Sequence, residues 1–167
     1  YPNVQKVELS DNNLTDVGKD AIKGFLILNL IRKRTKLVDD GMVCDLSNLG
    51  IGDLECGDIA NYDGFENLTH LYLELNKITE AGICKLAGSK NMKSVILLSL
   101  DRNKIGDKGV DYIVRSEYFK NLTYLMLEYN NISDDGIKEI AGSENMIKLL
   151  RLYIDGNPYT DEGFNAL

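Results

Sequence analysis

Four carboxylates, Glu74, Asp101, Glu128 and Asp155, follow one another at intervals of 27 residues, with Tyr72, Tyr124, Tyr129 and Tyr153 close to them in the chain. Acids and phenols on a regular beat suit recognition of cations. A basic segment would set its charged ends on the carboxylates and its stems on the rings. Catalysis would need other company. His70 is the only histidine, and it has no serine or cysteine beside it in a nucleophile–base constellation. There is no glycine-rich phosphate loop and no nucleophile elbow. The pairs Asp101-Arg102-Asn103 and Asp155-Gly156-Asn157 invite a calcium reading. A calcium loop, however, needs further oxygen ligands at set positions and a later glutamate. Here the pair recurs because the interval recurs, its two members facing different sides. The chain is expected to hold no metal, no cofactor and no catalytic residue, and not to be an enzyme.

Bulk composition narrows the partners. The 19 basic against 26 acidic residues leave a net charge of −7, which argues against general nucleic-acid binding. An apolar content of 44% fits a folded chain. No apolar run is long enough for a membrane span, and the richest, residues 25–31, is too short and too internal to be a signal peptide. The chain opens on Tyr1 and stops inside an expected helix, so it reads as a piece of a longer protein. Cys44 falls on the column of Leu71 and Cys56 on that of Ile83, which predicts small core residues, whereas Cys84 belongs on the outer side of a helix. Three cysteines form neither an even disulfide framework nor a metal spacing, and they favour a reducing compartment. The glycosylation-like triplets at Asn13, Asn67, Asn121 and Asn131 read as coincidence of an asparagine-rich repeat.

The elements that would position the acids follow from one phrase, L-x-L-x-x-N-x-I-x-x-x-G. Its asparagines, Asn76, Asn103, Asn130 and Asn157, again lie 27 apart. Upstream, Val7, Leu9, Asn12, Leu14 and Gly18 form another copy, and Cys44, Leu46 and Ile51 a second, in which Leu49 replaces the Asn and Glu55 the Gly. From Asn12 to Leu49 is 37 residues, so ten extra residues fall near 25–43, a stretch that includes the basic run 32–36. The run reads as a helix end, and the apolar 25–31 stretch as a surface that needs a cover. A 54-residue period is superposed: residues 65–71 match 119–125, and 87–92 match 141–146. Within a copy, Leu71 and Leu73 alternate as a strand does. Thr79, Ser133, Thr160 and Thr15 are good helix N-caps, each followed by an acid. Ile83, Leu86 and Ala87 supply the stripe of a short helix, which Gly88 and Gly142 end. Gly82, Gly109, Gly136 and Gly163 fall inside first helical turns and predict close backbone approach there. Asn12, Asn76, Asn103, Asn130 and Asn157 form a ladder whose amides satisfy backbone groups at the bend. Leu49 cannot do this, so the second copy should bend differently or use water.

With the interval and phrase in hand, the chain resembles the leucine-rich repeat family in its ribonuclease-inhibitor-like subclass, and the wording of residues 78–87 is similar to F-box-associated repeats. The resemblance implies an α/β fold, a right-handed β/α solenoid or horseshoe, with a parallel concave sheet and convex helices. We divide it into six repeats, about 4–40, 41–67, 68–94, 95–121, 122–148 and 149–167, forming one domain. It implies protein binding on the concave strand face. The side chains expected there are His70, Tyr124 and Arg151; Tyr72, Ser99, Met126 and Tyr153; Glu74, Asp101, Glu128 and Asp155; and, just past the strand, Arg102 and Tyr129. The partner would be a protein, its segment basic. Two other roles fit the resemblance: a substrate-recognition or targeting module of a larger enzyme such as a ubiquitin ligase or bacterial effector, and a Ran-type GTPase activator.

Overall fold

The computed structural model describes residues 15–39 and 41–167. The first copy's Val7, Leu9, Ser10, Asn12 and Leu14, with Asn13 and Asp40, lie outside the described residues. Strand and helix then alternate: α1 (Asp16–Arg34), β1 (Thr35–Val38), β2 (Gly41–Asp45), α2 (Asp53–Ala60), β3 (Leu68–Tyr72), α3 (Glu80–Ala87), β4 (Leu97–Ser99), α4 (Gly106–Arg115), β5 (Tyr124–Met126), α5 (Asp134–Ala141), β6 (Arg151–Tyr153) and α6 (Asp161–Phe164). The strands form one open sheet in chain order. From β2 to β6 every pairing is parallel. The edge strand β1 departs from the expected all-parallel sheet, because it pairs antiparallel with β2 as a hairpin. The ten extra residues are thus spent on a long helix and that hairpin. At the junction, the Thr69 hydroxyl donates to the Met42 carbonyl and accepts from the Met42 N–H. The methyl of Thr69 also fills the space a Cβ on Gly41 would need.

The core lies between the sheet and the helices. Each repeat gives it a strand pair such as Leu71 and Leu73 and a helix pair such as Ile83 and Leu86, all fully buried. Neighbouring strands sit about 4.8 Å apart, whereas packed helices need about 8–10 Å. The sheet therefore takes the inner arc of the α/β solenoid. Cys44 and Cys56 are buried in the core and Cys84 is exposed. Helix α1 buries Ile27 and Ile31 and leans on α2 and β2, while Phe25 stays 41% exposed. Arg32, Lys33 and Arg34 form its last turn, where cations suit the helix dipole.

Two further hydrogen-bond ladders tie helix to helix. Asp53 accepts from the N–H and hydroxyl of Thr79 and from the Gly82 N–H. Asp134 does the same for Thr160 and Gly163, and Asp107 takes the N–H and hydroxyl of Ser133. Each N-cap hydroxyl also accepts from its own helix, at Ala81, Asp135 and Glu162. The aspartate is why glycine follows in the first turn: a Cβ at Gly136 would stand 2.5 Å from Asp107 Oδ1, and one at Gly163 2.5 Å from Asp134 Oδ1. At the other helix ends, Ser89, Ser116 and Ser143 donate to the carbonyls of Ala60, Ala87 and Val114 in the preceding repeat.

Candidate functional site

The open face is built by register. His70, Leu97, Tyr124 and Arg151 pair across β3 to β6, and so do Tyr72, Ser99, Met126 and Tyr153. On β2, Val43 precedes the first set and Asp45 the second. Two residues beyond the strands, the row Glu74, Asp101, Glu128, Asp155 is held by the bonds of Leu75 N–H to Asp101 O, Arg102 N–H to Glu128 O and Tyr129 N–H to Asp155 O. The sheet thus brings the expected residues together as adjacent columns, with one correction. Ser99 is buried at 2% exposure, its hydroxyl donating to Glu74. A small side chain between Tyr72 and Met126 is overshadowed by both. Arg102, Tyr129, Arg151, Tyr153 and Asp155 are exposed, and the others, His70 included, are half-buried.

The bend after each strand is made by a residue in the left-handed region: Asn48 at φ 55°, Leu75 at 57°, Arg102 at 56°, Tyr129 at 54° and Gly156 at 72°. Asparagine and glycine take that conformation readily, whereas an ordinary side chain pays about 1–2 kcal/mol for it. The Asn ladder sits next to this bend. Asn103 donates to the carbonyls of Leu73 and Leu100 and accepts from the Ile78 N–H. Asn157 repeats the pattern two repeats on, and Asn130 donates to the Leu100 and Glu128 carbonyls and accepts from the Ile105 N–H. Leu49 predicts that the second copy bends differently or uses water, and the bend is not different. Asn76 of the following repeat accepts from the N–H groups of both Leu49 and Ile51, and the turn at Asn48 matches the others.

Among the described residues no salt bridge involves Glu74, Asp101, Glu128 or Asp155. The two arginines of the face lie against rings. Arg102 lies 4.1 Å over the Tyr129 ring and Arg151 5.8 Å over that of Tyr124. The Tyr129 ring also rests on Gly156, where a Cβ would meet it at 2.4 Å. Burial raises the pKa of Asp101, and the charges of Glu128 and Glu74 push it the same way; the Glu128 N–H, bonded to its Oδ1, and Arg102 pull it down. The row is a place where negative charge is held at some cost. Ser47 stands at the same position in the second copy, so the fold does not demand an acid there. Among the described residues no cluster of His, Cys, Asp or Glu could hold a metal ion, and no helix is long and apolar enough to cross a membrane.

A strand-and-helix solenoid with a ladder of asparagines beside its bends defines a class of repeat protein built to present a surface. The leucine-rich repeat family model matches residues 2–22, 66–87, 92–114 and 120–141, together just over half of the chain, and the chain belongs to that family. No curated protein matches it. The copy around 41–60, entered from the hairpin, falls outside the matched segments.

Proposed function

We propose that this protein is a binding scaffold of the ribonuclease-inhibitor-like kind, taking a basic segment of a partner protein on its open strand face. Leucine-rich repeats mediate protein–protein interaction and are typically non-enzymatic scaffolds. The observation that carries the finer reading is the acidic row: four carboxylates on neighbouring repeats, none of them held in a salt bridge among the described residues. Like charges directly opposite across strands are destabilising, and in water each adjacent pair costs about 1 kcal/mol before screening. A basic segment relieves that repulsion while its apolar parts meet Tyr72, Tyr124 and Tyr153. Tyrosine and arginine are the residue types enriched at interface anchors. As a recognition module of a larger enzyme, the chain would use the same face for its substrate.

The test replaces Glu74, Asp101, Glu128 and Asp155 with Ser, the residue at position 47. In pull-downs at low and high salt, the wild-type chain is expected to retain basic proteins at low salt and release them at high salt, and the variant to retain none. Equal retention by the two at low salt contradicts the reading. A Ran-type activator is tested separately: with this chain added, GTP hydrolysis by a Ran-type GTPase is expected to stay at its intrinsic rate.

A further inference from the structure

We propose that the segment received on the open face is an amphipathic α-helix running along the acidic row, its basic stripe on the carboxylates and its apolar flank on a shelf made by Leu75 and Tyr129; this rests on the reading of the face given above.

The shelf is the first argument. Leu75, Arg102 and Tyr129 all hold left-handed backbone, where their side chains are a burden that Asn48 and Gly156 avoid. They do not repay it in the core, since Leu75 is 50% and Tyr129 49% exposed. Backbone outliers kept by large exposed side chains point to work done outside the fold. Arg102 over Tyr129, and Tyr129 over Gly156, fix the ring as a platform beside the row.

Pitch is the second argument. The row repeats with the strands, about every 4.8 Å. An extended partner presents same-side residues about 6.7 Å apart, roughly 2 Å out of step at each strand. A helix advances about 5.4 Å per turn, roughly 0.6 Å out of step, which a lysine or arginine side chain absorbs. Three turns span the four carboxylates. Charge complementarity selects a basic stripe, since no salt bridge occupies the row among the described residues and the chain carries a net charge of −7.

Three synthetic peptides of one Lys and Leu composition test this by fluorescence anisotropy at near-physiological salt. The first is a lactam-locked helix with Lys at i, i+4, i+7 and i+11 and Leu along one flank. The second is a locked helix with those residues scattered around its circumference. The third is held extended by interspersed prolines. The first is expected to bind at least about tenfold more tightly than either other, the contrast a few buried anchors produce. A Leu75→Gly/Tyr129→Gly variant is expected to lose about that factor for the first peptide while melting no lower than the wild type. Two results overturn the helix and its shelf while leaving the basic partner standing: an extended peptide that binds as well as the first, or a double variant that binds the first like the wild type. If none of the three binds, the reading of the face as a receptor for basic segments falls as well.

Discussion

At the scale of single residues, Asn130 shows what the ladder contributes. It is fully buried, donates to the Leu100 and Glu128 carbonyls and accepts from the Ile105 N–H. Asn130→Ala leaves those groups without this partner, at about 1–3 kcal/mol for each one left unsatisfied. We expect a loss of about 3 kcal/mol or more, read as a lower urea midpoint at unchanged slope. The acidic residues divide by the sign of their linkage. Asp45 is held below the ordinary carboxylate value by the Ser47 hydroxyl and N–H, and Asp134 by the N–H and hydroxyl of Thr160. Their unfolded forms protonate first, so the stability they add is complete above the ordinary value of 3.8 and is lost as pH falls through their lowered values. Asp101 runs the other way. Its raised value means that the fold protonates first, so stability rises as pH falls from its raised value toward 3.8. Asp101→Asn keeps an oxygen for the Glu128 N–H without the charge. Urea titrations should find it more stable than the wild type at neutral pH, with the advantage shrinking on acidification through that window.

At the scale of elements, α3, α5 and α6 are each fastened through the N-terminus of the preceding helix, and α4 tests the rule. Glu80 stands where Asp53, Asp107 and Asp134 stand, but the residue 26 positions on, at the place of Thr79, Ser133 and Thr160 in the repeat, is Gly106, which has no hydroxyl to offer. Helix α4 accordingly begins without a side-chain cap. Asp107→Ala is expected to lower stability by about 1–2 kcal/mol, the worth of a cap, and Glu80→Ala to stay within about 0.5 kcal/mol. Thermal or urea unfolding of the pair checks the contrast. The parallel strands β2 to β6, their helices and the N-caps of α3, α5 and α6 were legible because the leucine phrase repeats at a fixed interval and Thr79, Ser133 and Thr160 fall at one place in it. The fastening was missed because an acid after an N-cap is already explained by the helix dipole. Its signal was present: Asp precedes Thr79, Ser133 and Thr160 by 26 residues, whereas Glu precedes Gly106 by the same step. The hairpin was missed because residues 35–38 carry no part of the phrase, and nothing local sets the direction in which a strand joins a sheet edge. The columns of the face follow from alternation along each strand, but the burial of Ser99 depends on the bulk of its neighbours in other repeats, which spacing does not convey.

At the scale of the whole molecule, the property that matters is registration. Stacking by a constant 27 residues places like positions side by side, so one acid per repeat becomes a row and one left-handed residue per repeat becomes a shelf. The inner arc gathers these rows on one open surface. Registration also makes the repulsion collective, and removing the four carboxylates is expected to raise stability at low salt and to matter less as salt screens the charges. The most direct test is an electron spin resonance distance measurement with labels at Asp45→Cys and Tyr153→Cys in a Cys84→Ser background. Cys44 and Cys56 stay unlabelled because burial raises their thiols to about 11 and about 12. Four strand steps separate the labelled positions, so the account predicts one narrow distribution at a backbone separation of about 19 Å. A broad or multiple distribution, or a much longer distance, would contradict the register on which the face depends.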